Sequence, residues 1–476
     1  DDSIAYKHIG GANDWNGFSL DEERGILFAS TGSSSYDFYG GKRTGNNLFA
    51  DCILALDANT GKRLWHFQDI HHDVWDRDLP ATPALVTVMH RGKLTDAVAQ
   101  STKTGFVFLF DRVTGEPLFP INEIEVPNQS DLTGEKLSAT QPVPVLPKPF
   151  MRQSFTEKDI NNLLPDSSYQ ALKKRFDSLR TGNMFNPPGK KPMIDFPGFD
   201  GGGEWGGPAF DPQTGILYVN ANEMPWLIDM VDLSNKVKAN ETWLDEGQRL
   251  YKSNCMSCHG QQRNGSGNYP ALINIKTKYN DLQFEKLVTT GRRMMPAFKQ
   301  FTPEEINALS SFILDDKVKQ KNKSLSRMPV DTFLNLPYSI TGYNKFLSKD
   351  GYPAIKPPWG TLNAIDMNTG EYVWKIPLGT YPEFEKKNLI TGAENYGGPV
   401  VTAGGLVFIA ATKDSKLRAF NKRTGKLLWE TTLPAAGFAT PAVYNIDGKE
   451  YIVIACGGGK LKSKSGDSYV AFALPD

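Results

Sequence analysis

A mainly β propeller built from repeats, interrupted by one small all-helical domain, is the fold class predicted for this chain of 476 residues. Three observations predict it. A hairpin pattern recurs along the chain: apolar–x–apolar, Asp or Asn, two residues, Thr-Gly, Lys or Glu, then usually a tryptophan. Glycine (44) and proline (31) are abundant beside 11% aromatic residues, which suits many short strands joined by turns. Residues of about 236–330 lose this pattern and take up a helical apolar period.

The repeats are "CILALDANTGKRLWHF" (52–67), "VFLFDRVTGEPLFP" (107–120), "GTLNAIDMNTGEYVWKIPL" (360–378) and "KLRAFNKRTGKLLWETTLP" (416–434). Alternation on both sides of the turn predicts half-buried strands, and Asp/Asn with Thr-Gly supplies the tight turn. Trp65, Trp374 and Trp429, with Phe119 in the weakest copy, stand where a large ring would dock on a neighbouring sheet. Companion strands precede each hairpin in "GFSLDEERGILFAST", "GGPAFDPQTGILYVNA", "GGPVVTAGGLVFIAAT" and "ATPAVYNIDGKEYIVIAC". Four antiparallel strands per unit make a propeller blade. Four blades and a partial fifth are expected, the last ending at "SYVAFALPD" without a tryptophan partner. The divisions are 1–235 for the first blades, 236–330 for the helical insert and 331–476 for the last blades.

Bulk properties exclude several classes. Lys+Arg and Asp+Glu are 53 each, so nothing argues for nucleic acid. No apolar run reaches the length of about 20 residues that a membrane helix needs. The first residues, "DDSIAYKHIGG", do not read as a signal peptide; the chain is cytosolic or its leader lies outside this sequence. Four cysteines are too few for a disulfide framework, and Cys52 and Cys456 read as buried strand residues.

The other two cysteines lie in the insert, in Cys255-Met-Ser-Cys258-His259. This spacing is the attachment signature of c-type haem: two thiols for two vinyl groups and the next histidine as iron ligand. A zinc site would need a second ligand pair, and a redox Cys-x-x-Cys would prefer a βαβ setting. The helix-spaced Leu244, Gly247, Leu250 and Tyr251 precede the motif. Thr302, Pro303 and Glu305 open a helix after it, with Ile306, Leu309, Phe312 and Ile313 on its apolar face. Between them "GRRMMPAFKQF" offers Met295, before proline, as the sixth iron ligand, with Met294 as the alternative. This order resembles the small class I cytochromes c.

The Asp-x-x-Thr-Gly-Lys-x-x-Trp repeats resemble the tryptophan-docking motif of the eight-bladed quinoprotein dehydrogenases, which hold pyrroloquinoline quinone (PQQ). The membrane glucose and quinate dehydrogenase branch is most similar, through "YQALKKRFDSLRTGNMFNPPG", "HHDVWDRDLPATPALV", "FPGFDGGGEWGGPAFDP", "AATKDSKLRAFNKRTGKLLW" and "GDSYVAFALPD". The resemblance implies roughly three further blades before residue 1, so this chain resembles the C-terminal part of a longer protein. It implies Asp37, in "SSSYDFYGG", as the catalytic carboxylate and Lys62, in "NTGKRLW", as the cation beside the quinone oxygens. Glu204 and Trp205, in "GGGEWGG", match a region that contacts the quinone, often with Asn where Glu204 stands. His71, His72 and Asp73 read as structural. The expected function is a quinohaemoprotein dehydrogenase outside the cytoplasm. It would oxidise an alcohol or sugar with PQQ and pass electrons through haem c to an external cytochrome, quinone or dye. Whether Ca²⁺ or Mg²⁺ takes part is left open. The rival readings are a non-catalytic propeller scaffold and a carbohydrate-binding propeller, either carrying an electron-transfer cytochrome.

Overall fold

The computed structural model describes residues 12–233, 237–238, 240–266, 269–324 and 336–474. Five antiparallel sheets follow the repeat pattern. The first contains Ser19–Asp21, Ile26–Ser30, Cys52–Asp57 and Arg63–Gln68. The second contains Ala84–His90, Lys93–Ser101 and Val107–Asp111. Its fourth strand shrinks to a bridge between Phe110 and Pro117, because proline has no N–H to extend the ladder. The third joins Ala209–Asp211 and Ile216–Asn222 to Gly360–Asp366 and Glu371–Pro377. The fourth runs Val400–Val401, Leu406–Ile409, Lys416–Asn421 and Leu427–Thr432. The fifth has three strands, Ala442–Ile446, Lys449–Cys456 and Ser468–Ala473.

The repeat residues explain how sheets meet. Asp57, Asp111 and Asn421 each accept backbone N–H groups of their own turn, which frees the glycine two residues before the next strand to take a positive φ. The Trp65 indole N–H donates to the Arg112 carbonyl at 3.2 Å, and a Cβ on Gly115 would lie 2.6 Å from its ring. Trp374 repeats this between the third and fourth sheets, donating to Lys422 O at 3.0 Å beside Gly425. Phe119 takes the same place next to Gly370. Trp429 meets Phe472 instead and stays 41% exposed, since the fifth sheet has no Thr-Gly turn to receive it. Gly115→Ala is expected to cost about 1–3 kcal/mol, read as a lower urea midpoint: it adds strain at φ +76° to a clash with Trp65.

Between the second and third strands of the third sheet the chain forms a second compact unit, Leu227–Asn344 with two short neighbouring segments. The expected boundaries at 235/236 and 330/331 lie outside the described residues. Its helices include Trp243–Asn254, Asp281–Thr290 and Pro303–Ile313. Capping boxes start them: Thr242 with Asp245, Asn280 with Gln283, Thr302 with Glu305. The first and last of these helices pack closely, since Gly247 lets the Ala308 carbonyl approach and Tyr251 meets Phe312 edge-on at 5.4 Å. Leu250, Tyr251, Cys255, Met256, Phe284, Val288, Leu309 and Ile313 form one apolar core. Cys52 and Cys456 are buried strand residues of the other unit.

Candidate functional site

A charged cluster forms where the loop after the first sheet meets the turn between the second and third strands of the second sheet. His72 is buried, with Nδ1 at 2.7 Å from Gly45 O and Nε2 at 3.0 Å from Glu135. Asp73 accepts from the Trp75 and Arg77 backbone N–H groups at 2.8 and 2.7 Å, so it shapes the turn. Trp75 is buried and donates to Asn186 O; Arg77, fully buried, pairs with Asp195 at 2.9 Å. This scaffold holds Asp76 at φ +58°, a strained setting for a non-glycine residue. Its side chain is 21% exposed and lies 3.2 Å from Lys103 Nζ, which also donates to the Asp76 carbonyl at 2.9 Å and pairs with Asp78. Loss of water, opposed by Lys103 and aided by Asp78, Asp37 and Asp73, pushes the Asp76 carboxyl well above its usual range. For Lys103, burial works against the charge, but Asp76 and Asp78 prevail and raise its pKa well above normal.

Asp37 is half-buried at the same charged cluster. Desolvation first, then the charges of Asp73 and Asp78, push its carboxyl up to about 6, against Arg43 and Lys103. In the unfolded chain it titrates near 4, so the folded state binds the extra proton between about pH 4 and 6. Its contribution is present below that window and lost as pH rises through it. Asp37→Asn is therefore expected to remove this loss and to be the more stable protein at pH 7, by roughly 1–3 kcal/mol in urea titrations.

Lys62 is not brought to Asp37. It sits exposed at the end of the Asp57–Lys62 turn, where its carbonyl accepts from Asp57 N–H at 2.8 Å. The reason is geometric: the Thr-Gly-Lys slot is the solvated tip of every hairpin, and Lys426 in the fourth sheet is exposed in the same way. The cation beside the carboxylates is Lys103, which lies outside the repeated turn motif. Its sequence signal is a single lysine inside "AVAQSTKTGFVFLF", a charge in an apolar run that must find a partner once buried. Asp76 closes the run "HHDVWD", whose spacing gives no sign of its partner.

The Gly-rich stretch before Glu204 closes on Lys103: Gly202 N–H donates to Lys103 O at 2.6 Å, and a Cβ on Gly201 (φ +74°) would meet Lys103 at 2.4 Å. Glu204 is buried, with Asn222 Nδ2 donating at 3.4 Å. Desolvation and then the Asp200 charge push its carboxyl well up, against Lys460 and Lys103. Trp205 is 37% exposed and stacks on Tyr396 at 5.0 Å. The Tyr396 hydroxyl lies between Asp200 and Glu394, and Glu394 pairs with Lys345. Lys460 Nζ stands 4.4 Å from the Trp205 ring centre and 3.7 Å from that of Tyr396. Asp37, Asp76, Lys103, Glu204 and Trp205 thus belong to one neighbourhood, with Lys103 carrying charge contacts to Asp37, Asp76 and Glu204 alike.

In the helical unit, Cys255 ends the Trp243–Asn254 helix and Met256–His259 adds one more turn, so Cys255, Cys258 and His259 share a short bend. Cys255 is buried and Cys258 half-buried; burial raises both thiols, Cys255 to about 12. His259 Nδ1 lies 2.8 Å from Pro270 O, which makes it the N–H donor and leaves Nε2 with its lone pair. Burial lowers its pKa, favouring the neutral ring an iron ligand needs. Met295 is half-buried against the core that contains Cys255, held in a turn by Arg292 N–H to Met295 O at 2.9 Å. Met294, next to it, is 73% exposed. In haem-loaded protein, Met295→Ala is expected to lower the haem potential and alter the visible spectrum by removing a sixth ligand, and Met294→Ala to change neither. Among the described residues no group of three or more His, Cys, Asp or Glu could hold a metal ion, and no helix is long and apolar enough to cross a membrane.

The repeated antiparallel sheets, joined by Trp65 and Trp374, are those of a propeller domain of the quinoprotein class. The chain belongs to the PQQ-dependent dehydrogenase family described as "Glucose/ethanol/alcohol dehydrogenase, beta-propeller domain", which it matches over residues 2–269 and 285–452. Residues 243–313 match a second family, "Cytochrome C oxidase, cbb3-type, subunit III". Quinate/shikimate dehydrogenase (quinone) of Acinetobacter baylyi is 32% identical over 97% of this chain and 49% of its own length. Quinoprotein glucose dehydrogenase of Escherichia coli is 31% identical over 98% of the chain and 49% of its own length. The chain thus spans about half the length of the curated relatives it matches. Quinohemoprotein alcohol dehydrogenase from Comamonas testosteroni shares the fold, with a TM-score of 0.51 at 20% identity over 98% of this chain and 48% of that one. The residues present fit both groups the families imply. Two thiols, a histidine Nε2 and a thioether suit haem c, and the Trp205 and Tyr396 rings beside Lys460 suit a planar anionic quinone.

Proposed function

We propose that this chain is part of a quinohaemoprotein dehydrogenase that oxidises an alcohol or a sugar. The reading rests on the Asp76–Lys103 pair, a reachable carboxylate of raised pKa held against a buried ammonium. Bound PQQ supplies a two-electron acceptor, and bound haem c a carrier of single electrons. Asp76 takes the proton of the substrate hydroxyl, a task suited to a carboxylate made more basic by its surroundings. Lys103 keeps Asp76 in place and offers a positive charge where oxygen gains negative charge. Asp37 adds a second carboxylate that tunes the pocket, and Glu204 and Trp205 line its other side. Cys255 and Cys258 would hold haem c by thioethers, and His259 Nε2 and Met295 Sδ would serve as iron ligands. The electrons leave to an external acceptor, a cytochrome, quinone or dye. The cytochrome domain match supports a periplasmic or other extracytoplasmic location for the protein.

The test is a reduced-minus-oxidised visible spectrum of protein matured with haem c, mixed with alcohols and aldoses, with and without PQQ. Haem reduction by substrate only when PQQ is present supports the reading. A c-type spectrum that no substrate reduces in PQQ-loaded protein counts against it.

A further inference from the structure

Lys460 is a half-buried ammonium that forms no close ion pair among the described residues. The other lysines of the pocket have carboxylate partners: Lys103 with Asp76 and Asp78, Lys345 with Glu394. Among the described residues Lys460 forms no ion pair; its ammonium lies over the rings of Trp205 and Tyr396. A cation on two aromatic faces is held electrostatically yet keeps its N–H donors for another group. The backbone commits to this placement. Gly458, Gly459, Leu461 and Lys462 all have positive φ, at 55°, 78°, 56° and 60°, which for the two side-chain-bearing residues is strain of the kind that collects at ligand sites.

Glu204 is a buried carboxylate whose charge burial opposes and Lys460 and Lys103 both favour. Glu204 stands where the resembling dehydrogenases often carry Asn. PQQ bears three carboxylates, so a glutamate in place of a neutral amide adds a repelling charge beside the ligand. An ammonium in the same neighbourhood cancels it. We propose that Lys460 is an anchoring residue for the quinone cofactor, its ammonium on Trp205 and Tyr396 offsetting Glu204 so that a planar polyanion can bind. The inference rests on the dehydrogenase reading above and concerns affinity.

The test is equilibrium binding of PQQ to the full chain, followed by quenching of tryptophan fluorescence, with circular dichroism to verify folding of each variant. Lys460→Gln is expected to weaken binding about 10-fold or more, as loss of a charge-assisted contact does. Glu204→Asn in the Lys460→Gln background is expected to restore most of that loss, which a purely structural role for Lys460 would not allow. Lys426→Gln, at an exposed hairpin tip, is expected to bind as the parent does. Equal affinity of Lys460→Gln and parent, or a double variant as weak as Lys460→Gln, overturns the inference and leaves the dehydrogenase reading standing. A parent chain that does not bind PQQ overturns both.

Discussion

Asp76→Asn should abolish most dehydrogenase turnover, by about 10²–10⁴-fold, while the protein still folds and still binds PQQ. The side chain keeps its size and its hydrogen bond to Lys103, and Lys103 retains Asp78 as partner. What disappears is the proton acceptor, because an amide oxygen is not basic enough to take a hydroxyl proton. Asp37→Asn should cost less than about 10-fold, since Asp37 acts on the pocket through charge. Dye-coupled rates of the PQQ-loaded variants, with PQQ affinity measured alongside, decide between the two carboxylates. If Asp37→Asn is the inactive variant and Asp76→Asn the active one, the roles assigned here are reversed.

Replacing Cys255 and Cys258 together by Ser should remove covalent haem altogether. Thioethers to the two vinyl groups need both sulfurs, and a hydroxyl does not replace a thiolate nucleophile. Haem retained on a denaturing gel, or surviving acid–acetone extraction, measures this directly. The effect should stop at the helical unit: its core keeps Leu250, Tyr251, Met256 and Leu309, and the sheets of the other unit have their own core. PQQ binding by the double variant should therefore be unchanged. Haem that stays covalently bound would show that these cysteines are not the attachment points.

The strands, their turns and the tryptophans that lock neighbouring sheets were readable from local spacing, and so were the apolar face of the Trp243–Asn254 helix and the capped start of Pro303–Ile313. The second repeat was the weak copy for a visible reason, Pro117 and Phe119 in place of a strand donor and a tryptophan. The Cys255–His259 run carries its chemistry within five consecutive residues, so no fold was needed to suspect it. Lys62 shows the limit. A lysine in the right motif slot looked like an active-site cation, but that slot is the solvated tip of a hairpin.

What the sequence determined by itself is whatever depends on neighbours along the chain: alternation, turn chemistry, helix caps and the spacing of two thiols and an imidazole. Tertiary structure alone decided which charges meet. Asp76 and Lys103 come from successive sheets, and Glu204, Tyr396 and Lys460 from segments more distant still. A carboxylate or ammonium carries no mark of its partner until burial removes water and makes a counter-charge, a ring face or a lost proton the price of its position.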